Sequence, residues 1–331
     1  MTISLTPMTQ AELDRRLREA VEHYAQAIAE ARGLPLAEAM AESDEQHRLA
    51  LPDGVRSPGM LLFTGRTAAG EEVGWLWLAL PGDRAGGPER GWVYDIEVAA
   101  EQRGKGYGRG LMLAAEHELA GRGVGALGLN VHGYNTTAMR LYDSLGFEIT
   151  AQQLVKPLGG AGPAGSDRSP VSLAPMPADE LARRLPLWTE EHARAEAASR
   201  GIPLDQARER AAERIRKDLP DGVSSPDALL RRVCGADGGT VGWAWVRLRG
   251  DGPGRAALHH LEIDPGHRRR GYGRAAALLI ERELAARGVP ELEVNVFAGN
   301  AAARGLFPGL GYAVAGQQMV KPLRPRERDV R

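Results

Sequence analysis

The chain is written twice. LPDGVRSPGMLL, from Leu51, lies over LPDGVSSPDALL, from Leu219, and the same spacing of 168 positions sets GWLWL at Gly74 over GWAWV at Gly242. It also pairs ARGLPL at Ala31 with SRGIPL at Ser199, and LTPM at Leu5 with LAPM at Leu173. From the next strand on the spacing becomes 165, which places a three-residue deletion in PGDRAGGPERG, from Pro81, a composition that reads as a hairpin loop. QQLVKPL at Gln152 and QQMVKPL at Gln317 close the two copies. A unit of this length occurring only twice means a duplicated domain and not a solenoid. At 331 residues the chain has room for two domains of roughly 150 residues, each with its own core.

The organisation that follows is a first domain over 1–158, a linker over 159–170, a second domain over 171–323 and a charged tail over 324–331. The linker, GGAGPAGSDRSP, is rich in Gly, Ser and Pro and has no apolar period, so it reads as a flexible connector. Within each copy the expected order is helix, helix, three strands, helix, strand, helix, strand. AELDRRLREAVEHYAQAIAEARG and LMLAAEHELAGRG carry apolar residues at helical spacing, the first stopped by Gly33 and Pro35. EVGWLWLAL, WVYDIEV and ALGLNVH read as short strands. Mixed strands and helices in this order mean an α/β layer fold with a mostly antiparallel sheet at the start.

Charge and composition exclude several classes. The formal net charge is -1, from 42 basic and 43 acidic residues, so nothing draws the whole chain to nucleic acid or an anionic membrane. No run of about 18 apolar residues occurs, and the N-terminus lacks a secretory pattern, so a cytoplasmic protein is expected. The single cysteine, Cys234, has Arg66 as its counterpart in the first copy and is expected to be buried or idle. No Cys/His cluster has metal spacing.

The most informative stretch joins WVYDIEV to the helix LMLAAEHELA through EQRGKGYGRG. Arg103, Gly106 and Gly108 match Arg268, Gly271 and Gly273 in the second copy, an RxxGxG spacing at a strand-to-helix turn. Glycines let backbone N–H groups approach an anion closely, and a helix N-terminus adds partial positive charge, so a diphosphate fits here. The turn is neither a Walker loop nor a GxGxxG dinucleotide loop, which leaves ATP and NAD unfavoured. Strict alternation along WVYDIEV would set Trp92, Tyr94, Ile96 and Val98 on one face and Asp95 with Glu97 on the other.

Downstream, Asn135, Ala138, Leu141, Tyr142, Gly146 and Phe147 spell N-x-x-A-x-x-L-Y-x-x-x-G-F, and Asn300, Ala303, Leu306, Phe307, Gly311 and Tyr312 repeat it without the tyrosine hydroxyl. Strand, RxxGxG loop, helix, strand and this last motif together resemble the GNAT superfamily of N-acetyltransferases, over nearly the whole chain and twice. The resemblance implies two tandem GNAT folds, each a mixed, mostly antiparallel sheet with helices on both faces, and acetyl-CoA as cosubstrate. It implies that Arg103, Gly104, Lys105, Gly106, Tyr107 and Gly108 hold the pyrophosphate, and that Arg268, Arg269, Arg270, Gly271, Tyr272 and Gly273 are the second such loop. Ile96 and Val98, and Ile263 in the second copy, would bond the pantetheine arm through their backbone, with Asn135 and Asn300 beside it. It implies further that Glu97, or Asp95 after it, deprotonates the amine and that Tyr142 returns a proton to the CoA thiolate, which a phenol of ordinary pKa about 10 can do.

The second copy keeps the loop, as HRRRGYGR, but carries Phe307 for Tyr142, Pro308 after it, and His260 for Asp95. It is therefore expected to be degenerate, still able to hold CoA, with chemistry in the first copy. The arginines of that loop suit CoA phosphates better than nucleic acid, because no aromatics are interleaved with them. The reading is an acetyl-CoA-dependent transferase acting on an amine of a small molecule, as a monomer or homodimer. A protein or peptide amine as acceptor, or a non-catalytic CoA-binding module, are the alternatives.

Overall fold

The computed structural model describes residues 3–32, 34–82, 87–159, 169–250 and 254–323. Residues 83–86 of the expected hairpin loop, most of the linker (160–168) and the tail (324–331) lie outside the described residues.

The first copy runs β1 (Ser4–Pro7), α1 (Gln10–Arg32), α2 (Leu36–Ala50), β2 (Met60–Arg66), β3 (Glu72–Ala79), β4 (Gly91–Val98), α3 (Tyr107–Gly121), β5 (Ala126–His132), α4 (Thr136–Ser144) and β6 (Glu148–Pro157). The second repeats it as β7 (Val171–Pro175), α5 (Ala178–Arg200), α6 (Leu204–Asp218), β8 (Ala228–Gly235), β9 (Thr240–Arg247), β10 (Arg255–Ile263), α7 (Tyr272–Ala286), β11 (Glu291–Phe297), α8 (Ala301–Leu306) and β12 (Ala313–Pro322). Each copy thus opens on a strand that periodicity does not reveal. β1 is four residues ending in proline, and its register, Ser4 opposite Arg66 to Pro7 opposite Phe63, comes from the edge of β2.

The chain forms two compact units. Unit 1 takes Met1–Thr150, the short piece Arg200–Ile202 and the end of the chain from Gln317; unit 2 takes Ala151–Ser199 and Pro203–Gly316. The last strand of each unit therefore comes from the closing segment of the other repeat. In unit 1 the sheet order is β1-β2-β3-β4-β5-β12, and in unit 2 it is β6-β11-β10-β9-β8-β7. The near identity of QQLVKPL and QQMVKPL makes the exchange possible, because either segment presents the same side chains at the same register. In unit 1, Met319 and Leu323 enter the core with Leu119, Leu127 and Phe147, and Lys321 Nζ reaches Glu116 at 2.6 Å. In unit 2, Leu154 and Leu158 enter the equivalent core, and Lys156 Nζ reaches Glu281 at 2.5 Å.

Each sheet buries both faces. In unit 1, Leu76, Leu78 and Val93 pack under Met112, Ala115 and Leu119 of α3, while Trp75, Trp77 and Trp92 pack under Leu13 and Ala20 of α1. In unit 2, Ala244, Val246 and Leu258 meet Ala277, Ile280 and Leu284 of α7, and Trp243 and Trp245 meet Leu181 and Trp188 of α5. β4 with β5 and β10 with β11 pair parallel, while β1–β2, β2–β3, β3–β4, β7–β8, β8–β9, β9–β10 and β6–β11 pair antiparallel. Those two parallel pairs hold the candidate sites.

Candidate active site

β4 is paired with β3 along its length, but with β5 only from Gly91 opposite Leu127 to Val93 opposite Leu129. Beyond Val93 the two parallel strands part. Ala99 N–H bonds Val73 O at 3.0 Å, on the β3 side. Backbone groups alternate sides along a strand, so those of Val98 and Ile96 face the open side, where an extended ligand can pair with them. Unit 2 repeats this: β10 pairs β11 only from Arg255 to Leu258, and Asp264 N–H bonds Val241 O at 2.9 Å, which turns Ile263 outward.

The parting coincides with a β-bulge, and the bulge corrects the alternation expected from sequence. Trp77 opposes Asp95 and Leu78 opposes Val93, so Tyr94 is an extra residue. Directly opposed residues share a face. Trp92, across from Ala79, therefore lies on the same face as Asp95 and Glu97, with Trp75 and Trp77, and not on the opposite one. In unit 2 the extra residue is His259, which stacks on Trp245 at 4.8 Å, while the His260 ring lies tilted against Trp188 at 4.4 Å, so both histidines meet tryptophans. Bulges of this kind re-aim side chains at functional sites.

Asp95 is half-buried, and burial raises its carboxyl to about 6, helped by the charge of Glu97 beside it. Glu97 accepts from Trp75 Nε1 at 3.3 Å and pairs with Arg103 Nη2 at 3.4 Å. Tyr142 enters from α4. Asn135 caps that helix, its Oδ1 accepting from Ala138 N–H at 3.0 Å. Gly146, at φ 84°, ends the helix, and the Phe147 N–H returns to Tyr142 O at 3.0 Å. This is the left-handed stop that the L-Y-x-x-x-G-F motif requires, and it sets Phe147 against the Tyr142 ring at 5.8 Å. Burial pushes the Tyr142 phenol up to about 12, and the Asp95 carboxylate, near enough for its charge to act, adds to the rise. The structure therefore brings together a carboxyl near neutrality and a phenol that keeps its proton.

Between β4 and α3, Gly104 and Gly106 sit at φ 77° and 83°, and a Cβ added at either would meet nothing within 4 Å. That open concavity, beside the N-terminus of α3 and flanked by Arg103 and Lys105, fits a pyrophosphate. Arg103 here reaches back, its Nε donating to Val98 O at 3.1 Å, and Lys105 Nζ donates to Gln102 Oε1 at 3.0 Å. Tyr107 starts α3 and packs half-buried near Ile3, while Gly108 lies close to Leu141 and Val98, where a Cβ would come within 3.4 Å of Leu141 Cδ2.

In unit 2 the loop geometry persists. Gly271 is at φ 79°, Arg268 Nε donates to Ile263 O at 2.8 Å, and Arg269 occupies the left-handed region at φ 60°, where unit 1 has Gly104. Arg270 is exposed, Tyr272 and Gly273 open α7, and Asn300 caps α8 through Ala303 N–H at 3.0 Å. The reactive end differs. Phe307 is buried against Tyr312 and has no proton to give. Glu262 is held down to about 2 by a hydrogen bond from His260, by Trp188 Nε1 at 3.1 Å and by the Arg184 guanidinium, whose Nη1 is 3.3 Å from each oxygen. Sequence reading missed Trp75, Arg184 and Trp188; the repeated GWxW of β3 and β9 was the signal for the first.

Among the described residues no helix is long and apolar enough to cross a membrane, and no group of three or more His, Cys, Asp or Glu is placed to hold a metal ion. Cys234 is buried.

The profile of the acetyltransferase (GNAT) family matches this chain twice, over residues 21–147 and 189–312. An uncharacterized N-acetyltransferase of Bacillus subtilis is 30% identical over 158 residues, 48% of this chain and all of that protein. A mycothiol acetyltransferase of Clavibacter michiganensis is 31% identical over 278 residues, 81% of each chain. Among solved structures, a GCN5-related N-acetyltransferase from Sphaerobacter thermophilus superposes with a TM-score of 0.51 at 19% identity, over 98% of this chain and 96% of that one, a likeness of fold.

Proposed function

The chain belongs to the acetyltransferase (GNAT) family as a tandem N-acetyltransferase using acetyl-CoA as cosubstrate, and on that premise we propose that unit 1 carries the chemistry and acylates the amine of a small molecule. The observation that carries this reading is the contrast between the two clefts. Unit 1 pairs a carboxyl raised to about 6 with a buried phenol, whereas unit 2 has Phe307 and a Glu262 held to about 2 by its neighbours. A carboxylate held that low is a poor proton acceptor near neutral pH. The mycothiol acetyltransferase relative, whose name points to a small-molecule acceptor, supports that acceptor class.

The residues divide the work as follows. The loop from Arg103 to Gly108 receives the CoA pyrophosphate through its backbone N–H groups and the start of α3, while the exposed backbone of Ile96 and Val98 pairs with the pantetheine arm. Once phosphate draws Arg103 away from Glu97, that carboxylate is left to face the acceptor. Asp95 takes a proton from the incoming ammonium, directly or through water; the amine nitrogen forms its bond to the thioester carbon; as the carbon–sulfur bond breaks, Tyr142 gives its proton to sulfur and recovers one, directly or through water, from the nitrogen that becomes the amide. Asp95 is assigned as the base because burial raises its carboxyl toward neutrality, and the charge of Glu97 adds to the rise. Asn135 works by fixing α4, and with it Tyr142.

Thiol release from acetyl-CoA across a panel of amines tests the reading. Tyr142→Phe is expected to slow transfer at least about tenfold, the scale of general-acid effects, while Phe307→Tyr changes little. CoA binding without turnover of any amine would leave a binding module and sink the enzyme. Equal rates for Tyr142→Phe and the parent would remove the acid assignment alone.

A further inference from the structure

The two tryptophans of β3 stand opposite the two carboxylates of β4, Trp77 across from Asp95 and Trp75 across from Glu97, all on one face. An indole N–H can only donate, and a buried one that finds no acceptor is a stranded polar group. The two rings meet this requirement differently. Trp77 Nε1 donates to Met60 Sδ at 3.3 Å and not to the carboxylate opposite it, whereas Trp75 Nε1 donates to Glu97 Oε2 at 3.3 Å. Trp75 has no exposed surface and packs with Leu13 and Ala20 of α1, so its ring cannot follow a carboxylate that turns. The other oxygen of Glu97 meets Arg103, whose side chain is largely exposed and belongs to the phosphate loop. Once phosphate takes that arginine, the indole is the hold on Glu97 that remains.

Unit 2 has the same pair in the same register, Trp243 opposite Glu262, without the bond. Glu262 instead accepts from Trp188 Nε1 on α5 at 3.1 Å, and the Arg184 guanidinium lies 5.0 Å from the centre of the Trp243 ring. Trp243 Nε1 is buried with no hydrogen-bond partner among the described residues. The positions matching Arg184 and Trp188 in the first copy are Arg16 and Ala20. Arg16 turns to Glu72, and alanine brings no donor. The bond from strand tryptophan to strand carboxylate therefore belongs to unit 1, where the neighbouring position is Asp95 and not a histidine.

We propose that Trp75 is a positioning residue for acyl transfer in unit 1: its indole N–H fixes the Glu97 carboxylate beside the base, Asp95, when phosphate draws Arg103 away. Trp75 itself touches neither substrate. It acts through Glu97, whose charge adds to what burial does at Asp95. The groups that face Asp95 are Glu97 on its own strand, His23 on α1 and Tyr142 on α4, and Arg103 reaches Glu97 from the loop. Of these, only Glu97 is bonded to the Trp75 indole. The inference rests on the assignment of Asp95 in unit 1 as the base.

The experiment compares Trp75→Phe, which keeps an aromatic ring and removes the donor, with Trp243→Phe, the same change in unit 2. By thiol release from acetyl-CoA, Trp75→Phe is expected to lower kcat about tenfold, on the order of one hydrogen bond to a charged group, with KM for acetyl-CoA unchanged. It is also expected to move the low-pH limb of kcat downward, because a Glu97 released from its anchor opposes ionisation of Asp95 less. Trp243→Phe is expected to leave kcat and the limb at their parental values. In a Glu97→Gln background, Trp75→Phe should move the limb no further. The position of the limb does not depend on how much of the protein is folded. Because Trp75 is buried and its replacement can prevent folding, the indole N–H proton resonances give a second reading. Of the six tryptophans, one is expected to shift its resonance in Glu97→Gln. A limb that stays in place in Trp75→Phe, an equal displacement in Trp243→Phe, or indole resonances that Glu97→Gln leaves unchanged overturns this inference and leaves the enzyme reading standing. Absence of thiol release with every amine overturns both.

Discussion

A chain ending at Gly316 is expected to lose the fold of unit 1, although every residue removed lies at the far end of the second repeat. The deletion takes away Met319, Val320 and Leu323, all buried, and each such side chain contributes about 1.5–3 kcal/mol. The total is of the same order as the roughly 5–15 kcal/mol that holds a whole domain. It also leaves Glu116 without the Lys321 ammonium now 2.6 Å away, and a half-buried carboxylate that loses its partner adds a further penalty. A chain of residues 1–158 is expected to behave differently. Its own QQLVKPL is free to lie beside β5, setting Leu154 for Met319, Lys156 for Lys321 and Leu158 for Leu323. Urea unfolding followed by tryptophan fluorescence separates the cases: the 1–158 chain should give a cooperative transition and the 1–316 chain should lack the one belonging to unit 1. Parental acetyl transfer by the 1–316 chain would show that β12 does not support unit 1.

Asp95→Asn is expected to lower kcat about a hundredfold, the lower end for loss of a general base, and at the same time to raise the melting temperature at pH 7. The two effects have one cause. Burial and Glu97 raise the Asp95 carboxyl to about 6, from the ordinary 3.8. The folded state therefore holds this proton more tightly than the unfolded chain does, and the stability it gives is fully present below pH 3.8 and lost as pH rises through about 6. At pH 7 the parent carries a charge that the fold disfavours, and asparagine does not. The gain in melting temperature should shrink toward zero when both proteins are measured near pH 3.5. In the parent, kcat should fall as pH drops through about 6, and Glu97→Gln should move that limb downward by removing a charge that opposes ionisation. A limb that stays in place in Asp95→Asn would mean another group is the base.

The duplication, the helices, most strands and the phosphate loop are legible in the sequence because each is set by local spacing: period 3.6, period two, or glycines at a strand-to-helix turn. The Gly146 stop after Tyr142 is equally local. The parts that are not legible depend on partners far away in the chain. The bulge at Tyr94 is decided by the register of β3, which shifts between Trp77 and Leu78, and a string of alternating residues carries no mark of it. The same holds for the exchange of closing strands: two copies with six of seven residues alike fit either sheet, so composition says that a strand is there but not which sheet it joins. Arg184 and Trp188 escaped notice because their partner Glu262 is far along the sequence, and helix spacing reads them as an ordinary charged and apolar pair.

The bulge is present in both units although the residue it singles out is a tyrosine in one and a histidine in the other. A backbone feature shared across such a change in side chains predates the split between the copies, so the ancestral domain already possessed a parted strand pair before it was doubled. On the function proposed for unit 1, the second copy keeps the frame of a cleft whose reagents have changed, and the difference runs through a handful of side chains such as Phe307 and His260.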